Sequence, residues 1–277
     1  MKKTISVLIP TYNREKELYQ SIKTVIDQTY KGNIEIVIID DSKESLKENI
    51  EKNFSRLLKK KGNIKINYIH KAKKEGSPLA RNIGIEKSKG EYIAFLDDDD
   101  LWLPEKLEKQ AKILDENEKV ALVVCNSLDK RFGRERISRP LKMVSHELIL
   151  KSFNLSSSST YLIRKSAIEK VGGFDISLPS AQEYDLAIRI SKIKDVKCVD
   201  EVLMIQNATD GQISENWNKK IRGLLSVYNK HKKDYNSVSI FNTIKLVGIL
   251  GLYMTGFLIG NKIYGVIIPF KERYEER

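Results

Sequence analysis

The segment Ile34–Asp40 reads IEIVIID and leaves no face for water. A run of this kind needs cover on both sides, the condition of a strand inside a parallel α/β sheet. The chain around it has the matching pattern. Residues 4–10 make a first strand, and Leu18, Ile22, Val25 and Ile26 then recur at helical spacing, ending near Tyr30. After the second strand, Ser42 stands where it can cap a helix carrying Leu46, Ile50, Phe54 and Leu57. Ile64–His70 is a third strand, residues 71–76 are a loop, and Ser77-Pro78 is an N-cap and first-turn signal for a helix to about Ser88. Residues 92–96 form a fourth strand. Pro104 opens a helix with Leu107, Ala111 and Leu114 on one face, and residues 120–125 form a fifth strand. This alternation predicts an α/β domain with a mostly parallel sheet flanked by helices. A ligand of such a sheet sits at the carboxyl ends of its strands.

Three of those ends carry chemistry: Pro10-Thr11-Tyr12-Asn13, Asp40-Asp41, and the run Asp97, Asp98, Asp99 and Asp100. Four adjacent carboxylates repel one another and raise each other's pKa. Capping the helix that follows needs only one of them. The run therefore points to a divalent cation, and oxygen-only ligands favour Mg²⁺ or Mn²⁺. Such an ion completes its shell with phosphates and water, which implies a phosphate ester or nucleotide. Asp41 can accept a base N–H or cap a helix. Tyr12 can offer a ring face to a base or be a buried aromatic. Arg81, in a helix facing the same edge, can meet a phosphate or base, or be a solvated helix charge. No GxGxxG follows the first strand, and neither GxxxxGK[ST] nor GxSxG occurs. A dinucleotide fold is thereby disfavoured, a P-loop excluded, and no nucleophile elbow is present.

The second half is less regular. Residues 129–142 read as a loop holding Lys130, Arg131, Arg134, Arg136, Arg139 and Lys142. A serine run, Ser156 to Ser159, precedes a short strand at residues 160–163. Gly172-Gly173-Phe174 is a turn, and residues 182–192 form a short helix. A longer helical pattern follows through Trp217, Ile221, Leu224, Leu225 and Tyr228. Cys125 and Cys198 lie far apart without a CxxC or nearby His, which reads as two reduced core thiols.

Four segments in order, SVLIPTYNRE, IEIVIIDDS, ARNIGIEKSKGEYIAFLDDDDLWLPEKL and GGFD…QEYDLAIRI, resemble the inverting family-2 glycosyltransferases of GT-A fold over about residues 4–192. The resemblance implies a metal-dependent enzyme that moves a hexosyl or N-acetylhexosaminyl group from a nucleotide-diphosphate sugar, most commonly a UDP-sugar. The acceptor would be a saccharide or lipid-linked sugar in surface-glycan and polysaccharide assembly. By this resemblance Pro10, Thr11, Tyr12, Arg14, Asp41 and Arg81 hold the donor nucleotide, and Asp97 or Asp98 touches the ribose. Asp99 completes the DxD motif and takes the Mn²⁺ or Mg²⁺. Glu183 falls on the position of the catalytic base, where the family more often has Asp, and Asp185 is the rival two residues on. The basic loop at residues 130–142 is a candidate lid over the phosphates, a contact for an anionic acceptor, or a solvated loop. A non-catalytic nucleotide-sugar-binding relative and a charge-driven membrane binder are the competing readings.

The net charge of +12 fits an anionic partner, but the acidic edge argues against nucleic acid. The basic excess lies elsewhere: residues 119–173 hold eleven basic and four acidic side chains. Residues 246–261 are uncharged, and as a helix would span roughly 24 Å against a hydrocarbon core of about 30 Å. Lys245, Lys262 and Lys271 flank this stretch, and Gly256 and Gly260 form a GxxxG spacing. The expected organisation is a GT-A domain at residues 1–212 and a helical, partly apolar extension at 213–277. Its segment 244–270 would associate with a membrane or with a second copy of the chain. Residues 5–9 are too short for a secretory h-region and read as strand. The expected location is cytoplasmic, peripheral or anchored at the cytoplasmic face of the membrane.

Overall fold

The computed structural model describes residues 2–130, 135–139, 143–152, 157–207 and 217–238. The chain divides into two compact units, one of residues 1–177 and 182–212 and the other of residues 178–181 and 213–277. The first unit begins as a strand–helix alternation: β1 (Ile5–Thr11), α1 (Glu15–Ile26), β2 (Ile34–Asp40), α2 (Lys47–Lys61), β3 (Ile64–His70), α3 (Ser77–Lys87) and β4 (Tyr92–Phe95). A short β5 (Asp100–Trp102), α4 (Lys106–Glu116) and a long β6 (Val120–Asp129) follow. Then come β7 (Arg136–Ser138), β8 (Met143–Val144), α5 (His146–Ser152), a 3-10 turn at Ser158–Thr160, β9 (Leu162–Arg164) and α6 (Lys165–Lys170). The unit closes with α7 (Gln182–Ser191) and β10 (Asp195–Gln206). The second unit contains α8 (Trp217–Lys230) and α9 (Lys232–Val238).

The strands form one mixed sheet in the order β3-β2-β1-β4-β9-β6-β10-β5, with β7 against β6 and β8 against β10. The pairs β1–β2, β2–β3, β1–β4 and β6–β10 are parallel. Strand β9 runs antiparallel between β4 and β6, and β5 runs antiparallel to β10. Helices supply the double cover that the apolar runs require. On α1, Leu18, Ile22, Val25 and Ile26 are buried against the sheet, each stabilising the fold by roughly 1.5–3 kcal/mol.

Strand β1 lies between β2 and β4, so the chain order reverses there and a crevice opens at the strand ends. The β1–β2 ladder reaches Thr11 and Asp40, while the β1–β4 ladder stops at Leu8 and Phe95. Pro10, which has no N–H, therefore sits where β1 has lost its β4 neighbour.

Several local expectations are corrected. Ser42 does not cap α2, which starts at Lys47 with Leu46 before it and no side-chain cap. Ser42 instead accepts the Asn13 N–H on its Oγ at 2.8 Å. Ser77 is the first residue of α3, and Gly76 at φ 94° precedes it. Pro104 lies two residues ahead of α4. The fifth expected strand runs on to Asp129, and part of the expected basic loop, Arg136–Ser138, pairs back on it as β7. Strand β10 escaped sequence reading because register shifts at Val199 and Val202 break its alternation. The rest of the basic loop and the whole apolar tail at 246–261 lie outside the described residues. No helix among the described residues is long and apolar enough to cross a membrane.

Below the crevice, Trp102 of β5 donates its indole N–H to the Ser159 carbonyl at 2.8 Å, and the Lys106 ammonium lies 4.0 Å from its ring centroid. Lys106 is fully buried and donates to Gln110 Oε1 at 2.8 Å. Burial pulls its pKa down to about 8 from 10.5. The unfolded lysine keeps its proton to higher pH, so stability rises as pH climbs from about 8 towards 10.5. Below that window both states are charged and the buried charge costs on the order of 3 kcal/mol. Urea unfolding near pH 7.5 and near pH 9.5 should show the wild type gaining about 2 kcal/mol relative to Lys106→Met. Parallel pH profiles for the two proteins would refute the assignment.

Candidate active site

The crevice is assembled from the ends of β1, β2 and β4. Asp41 follows β2, and its N–H donates to the Thr11 carbonyl at 3.0 Å, which ties the first two ends together. Asn13 takes a left-handed φ of 54°, tolerable for Asn, and turns the chain after Tyr12 outward. Tyr12 is 39 % exposed, as an aromatic that offers a ring face must be. The buried Asp41 carboxylate is met by the loop after β3. Lys71 Nζ lies 3.2 Å from Asp41 Oδ1, and the Glu75 N–H donates to Oδ2 at 3.1 Å. Lys71 also pairs with Glu75 at 2.8 Å, and Lys74 stands 4.1 Å from the Tyr12 ring centroid. Burial pulls the Lys71 pKa down, but Glu75 and Asp41 outweigh it and hold the ammonium above its ordinary value.

The acidic run follows Leu96, whose N–H still donates to the Leu8 carbonyl at 3.0 Å. Two serines and two arginines then shape it. Ser157 turns Ser158–Thr160, and Ser159 Oγ accepts the Asp97 N–H at 3.0 Å. Asp98 turns inward, accepting from Thr11 Oγ1 at 2.8 Å and from Arg14 at 3.2 Å. Burial, reinforced by the charges of Asp99 and Asp97, pushes its pKa up to about 6 against the pull of Thr11 and Arg14. Arg14 reaches on to Asp99 at 2.8 Å. Arg81 is only 6 % exposed, so it is no solvated helix charge, and it holds Asp97 at 2.5 Å. Burial lowers the Arg81 pKa, and the charges of Asp97 and Glu183 more than compensate. Asp100 enters β5, and its buried carboxylate adds to the field on Arg81.

Glu183 lies half-buried in the first turn of α7 and shares the electrostatic field of Arg81 and of the buried Tyr161. The Tyr161 hydroxyl donates to the Glu183 carbonyl at 3.3 Å. Asp185 is fully buried and bound to Arg189 through Nε at 2.8 Å and Nη2 at 2.7 Å. The structure thus brings Thr11, Arg14, Arg81, Asp97, Asp98, Asp99 and Glu183 into one charged network, with Tyr12 and Asp41 at the adjoining strand end.

Among the described residues no group of three carboxylates, imidazoles or thiols converges as a metal cage. Each of Asp97, Asp98 and Asp99 meets an arginine, and they keep 30 %, 7 % and 10 % of their side chains accessible. This oxygen-only set suits a hard divalent cation held by one or two carboxylates, with phosphates and water completing its shell.

Asn82, Arg189 and Lys71 were not singled out in the sequence, because side-chain amides and lysines in loops carry no periodic signal. Ser159 showed only as part of the serine run and Phe174 only as part of the glycine turn.

Comparison with known proteins agrees with this geometry. The family model described as Glycosyl transferase family 2 matches residues 6–172. WfaP of Escherichia coli, a UDP-Glc:alpha-D-GlcNAc-diphosphoundecaprenol beta-1,3-glucosyltransferase, is 32 % identical over 187 residues, covering 66 % of this chain and 68 % of its own. An uncharacterized glycosyltransferase of Rickettsia typhi is 31 % identical over 223 residues, 75 % of this chain and 65 % of its own. The chain spans 61 % of a glycosyltransferase from Haemophilus influenzae. Among solved structures, Staphylococcus aureus TarS residues 1–349 with UDP-GlcNAc superposes with a TM-score of 0.63 at 18 % identity, covering 82 % of this chain and 67 % of TarS. The mannosyltransferase PcManGT of Pyrobaculum calidifontis, in complex with GDP-Man and Mn²⁺, gives 0.68 at 13 % identity over 99 % of this chain and 81 % of its own. The chain is a member of glycosyltransferase family 2, built on the GT-A fold.

Proposed function

We propose that this chain is a metal-dependent inverting glycosyltransferase that takes a sugar from a nucleoside-diphosphate sugar to an acceptor hydroxyl. One observation carries the reading: Asp97 at the donor edge and Glu183 on α7 share the field of one buried guanidinium, Arg81. A base and a diphosphate edge brought to one guanidinium suit a displacement in which the acceptor oxygen attacks as the nucleotide leaves. Glu183 takes the proton of the acceptor hydroxyl as general base. The freed oxygen attacks the anomeric carbon opposite the leaving nucleotide, which inverts it. Arg81 holds Asp97 at 2.5 Å and lies in the field of Glu183. Tyr12 stacks the base, Asp41 accepts a base N–H, and Asp97 or Asp98 accepts from the ribose. Asp99 would hold a Mn²⁺ or Mg²⁺ ion, which when bound offsets the charge that grows on the departing diphosphate. Asp185, engaged by Arg189, serves α7 and not the acceptor.

A UDP-sugar is the favoured donor and a lipid-linked saccharide the favoured acceptor. TarS in complex with UDP-GlcNAc and the named substrates of WfaP support these choices. GDP-mannose, bound by PcManGT, is the competing donor. Residues 1–212 form the transferase domain in this proposal. Residues 213–277 form an extension whose segment 244–270 attaches to the cytoplasmic face of a membrane, its flanking lysines on anionic headgroups.

A panel of UDP- and GDP-sugars with Mn²⁺ and an N-acetylglucosaminyl diphospholipid should give nucleotide release with at least one UDP-sugar and a rise in melting temperature with UDP. No stabilisation by any nucleotide would sink the proposal. Glu183→Gln should lower transfer by about 100-fold or more while leaving UDP affinity within about twofold. Retained turnover would remove Glu183 from the mechanism. UDP affinity should also fall as pH drops below about 6, because Asp98 takes up a proton there and loses the negative charge that strengthens its acceptance of a ribose hydroxyl. Titration calorimetry between pH 5 and 8 checks this, and a flat profile would contradict a donor role for ionised Asp98.

A further inference from the structure

The stretch from Val171 to Phe174 follows α6 and is gripped from two sides. Gly172 and Gly173 adopt φ 78° and 69°, in the left-handed region. On one side, Arg189 of α7 donates from Nη1 to the Val171 carbonyl at 2.5 Å and from Nη2 to the Gly173 carbonyl at 2.7 Å. Asp185, one turn back on the same helix, fixes that guanidinium. On the other side, Asn82 of α3 spends its whole carboxamide on one residue. Its Oδ1 accepts the Phe174 N–H at 2.8 Å, and its Nδ2 donates to the Phe174 carbonyl at 2.8 Å. One side chain thus makes the pair of bonds that a neighbouring strand would make. The approach leaves no room at Gly173, where a Cβ would lie 2.6 Å from Asn82 Oδ1. The Phe174 ring extends the contact, edge-on to Phe95 at 5.1 Å and under Arg81 at 5.4 Å.

These bonds form a continuous train: Asp185, Arg189, the glycine turn, Asn82. Its ends lie on the two helices that carry the two halves of the chemistry, Glu183 on α7 and Arg81 on α3. Asn is a poor residue for a helix interior, so helix formation does not explain its place in α3. We propose that Asn82 is a positioning residue, which sets α7 against α3 through the Phe174 backbone and so holds Glu183 in register with the Arg81–Asp97 edge. This inference rests on Glu183 as the base. Asn82 acts through the turn and leaves donor binding alone.

The test perturbs one contact from both sides in the full chain. Asn82→Ala removes both bonds, Asn82→Asp sets a carboxylate against the Phe174 carbonyl, and Gly173→Ala pushes the turn away. Each variant is assayed for UDP release from UDP-glucose and UDP-GlcNAc with the diphospholipid acceptor, for UDP binding with Mn²⁺ by calorimetry, and for thermal unfolding. All three should lose about 10- to 100-fold in kcat, the scale of an ångström of misplacement, with the UDP Kd changed by less than about twofold. In a Glu183→Asp background, where the base is already displaced, Asn82→Ala should cost less than about threefold further. Unchanged kcat, a fall in UDP affinity matching the fall in kcat, or the full loss repeated in the Glu183→Asp background would each overturn the inference. Loss of the folded state in all three variants would assign the contact to stability and overturn it too. Turnover surviving in Glu183→Gln overturns the assignment of the base and this inference with it. Turnover lost in Glu183→Gln but untouched by the three substitutions overturns this inference alone.

Discussion

The crowding of negative charge at the end of β4 governs the rest of the site. Carboxylates packed at successive positions cannot all ionise beside a buried strand without cations to meet them. Arg14, the residue before α1, and Arg81 of α3 do so, and they divide three of the four between them: Asp97 to Arg81, Asp98 and Asp99 to Arg14. The compensation is incomplete. Asp98, buried and flanked by two further acids, still titrates at about 6, so its ionised form costs the folded state on the order of 3 kcal/mol at neutral pH. The arginines pair with the carboxylates, and Asp97 and Asp99 keep 30 % and 10 % of their side chains accessible to solvent.

Strand order decides where this charge can be used. Because β1 lies between β2 and β4, Tyr12, Asp41 and the acidic run stand at neighbouring strand ends. The early end of the β1–β4 ladder, at Leu8 and Phe95, frees the chain from Leu96 onward to turn across the crevice mouth. The 3-10 turn from Ser158 then supports that crossing through Ser159. Loss of ladder pairing at Pro10 and gain of side-chain support at Asp97 are two aspects of one arrangement. The sheet stops being a sheet where the chemistry begins.

This division explains what was legible beforehand. The parallel core could be read because its strands are covered on both faces and its helices carry one apolar stripe, and both conditions leave a period in the sequence. The acidic run stood out because adjacent carboxylates are costly without cations to meet them, whereas Tyr12 was open between a ring face and a buried aromatic until its exposure was seen. Strand β10 could not, since its register shifts erase the period, and β5 is hidden inside a segment that also announces a helix. Arg81 gave only an ambiguous signal: a basic residue in a helix looks alike whether solvated or buried, and only the packing of Phe174 and Asp97 around it settles which. Ser42 and Ser77 misled because a cap requires a backbone geometry that residue type alone does not reveal.

The segment ARNIG shows how one turn of helix can serve several masters. Successive helix residues point about 100° apart, so Arg81 and Asn82 reach different groups: Arg81 meets Asp97 and the Phe174 ring, and Asn82 meets the Phe174 backbone. Arg81 turns to the acidic run and Asn82 to the glycine turn before α7. Both reach because α3 lies tight on the sheet: Ala80 is buried, and a Cβ at Gly84 would come within 2.9 Å of Ile39 and 3.1 Å of Leu8. A larger residue at 84 would lift the helix from β1 and β2 and draw Arg81 and Asn82 back together. The small residues therefore do more than permit packing. They set the height at which one helix can hold Asp97 with one side chain and the Phe174 backbone with the next.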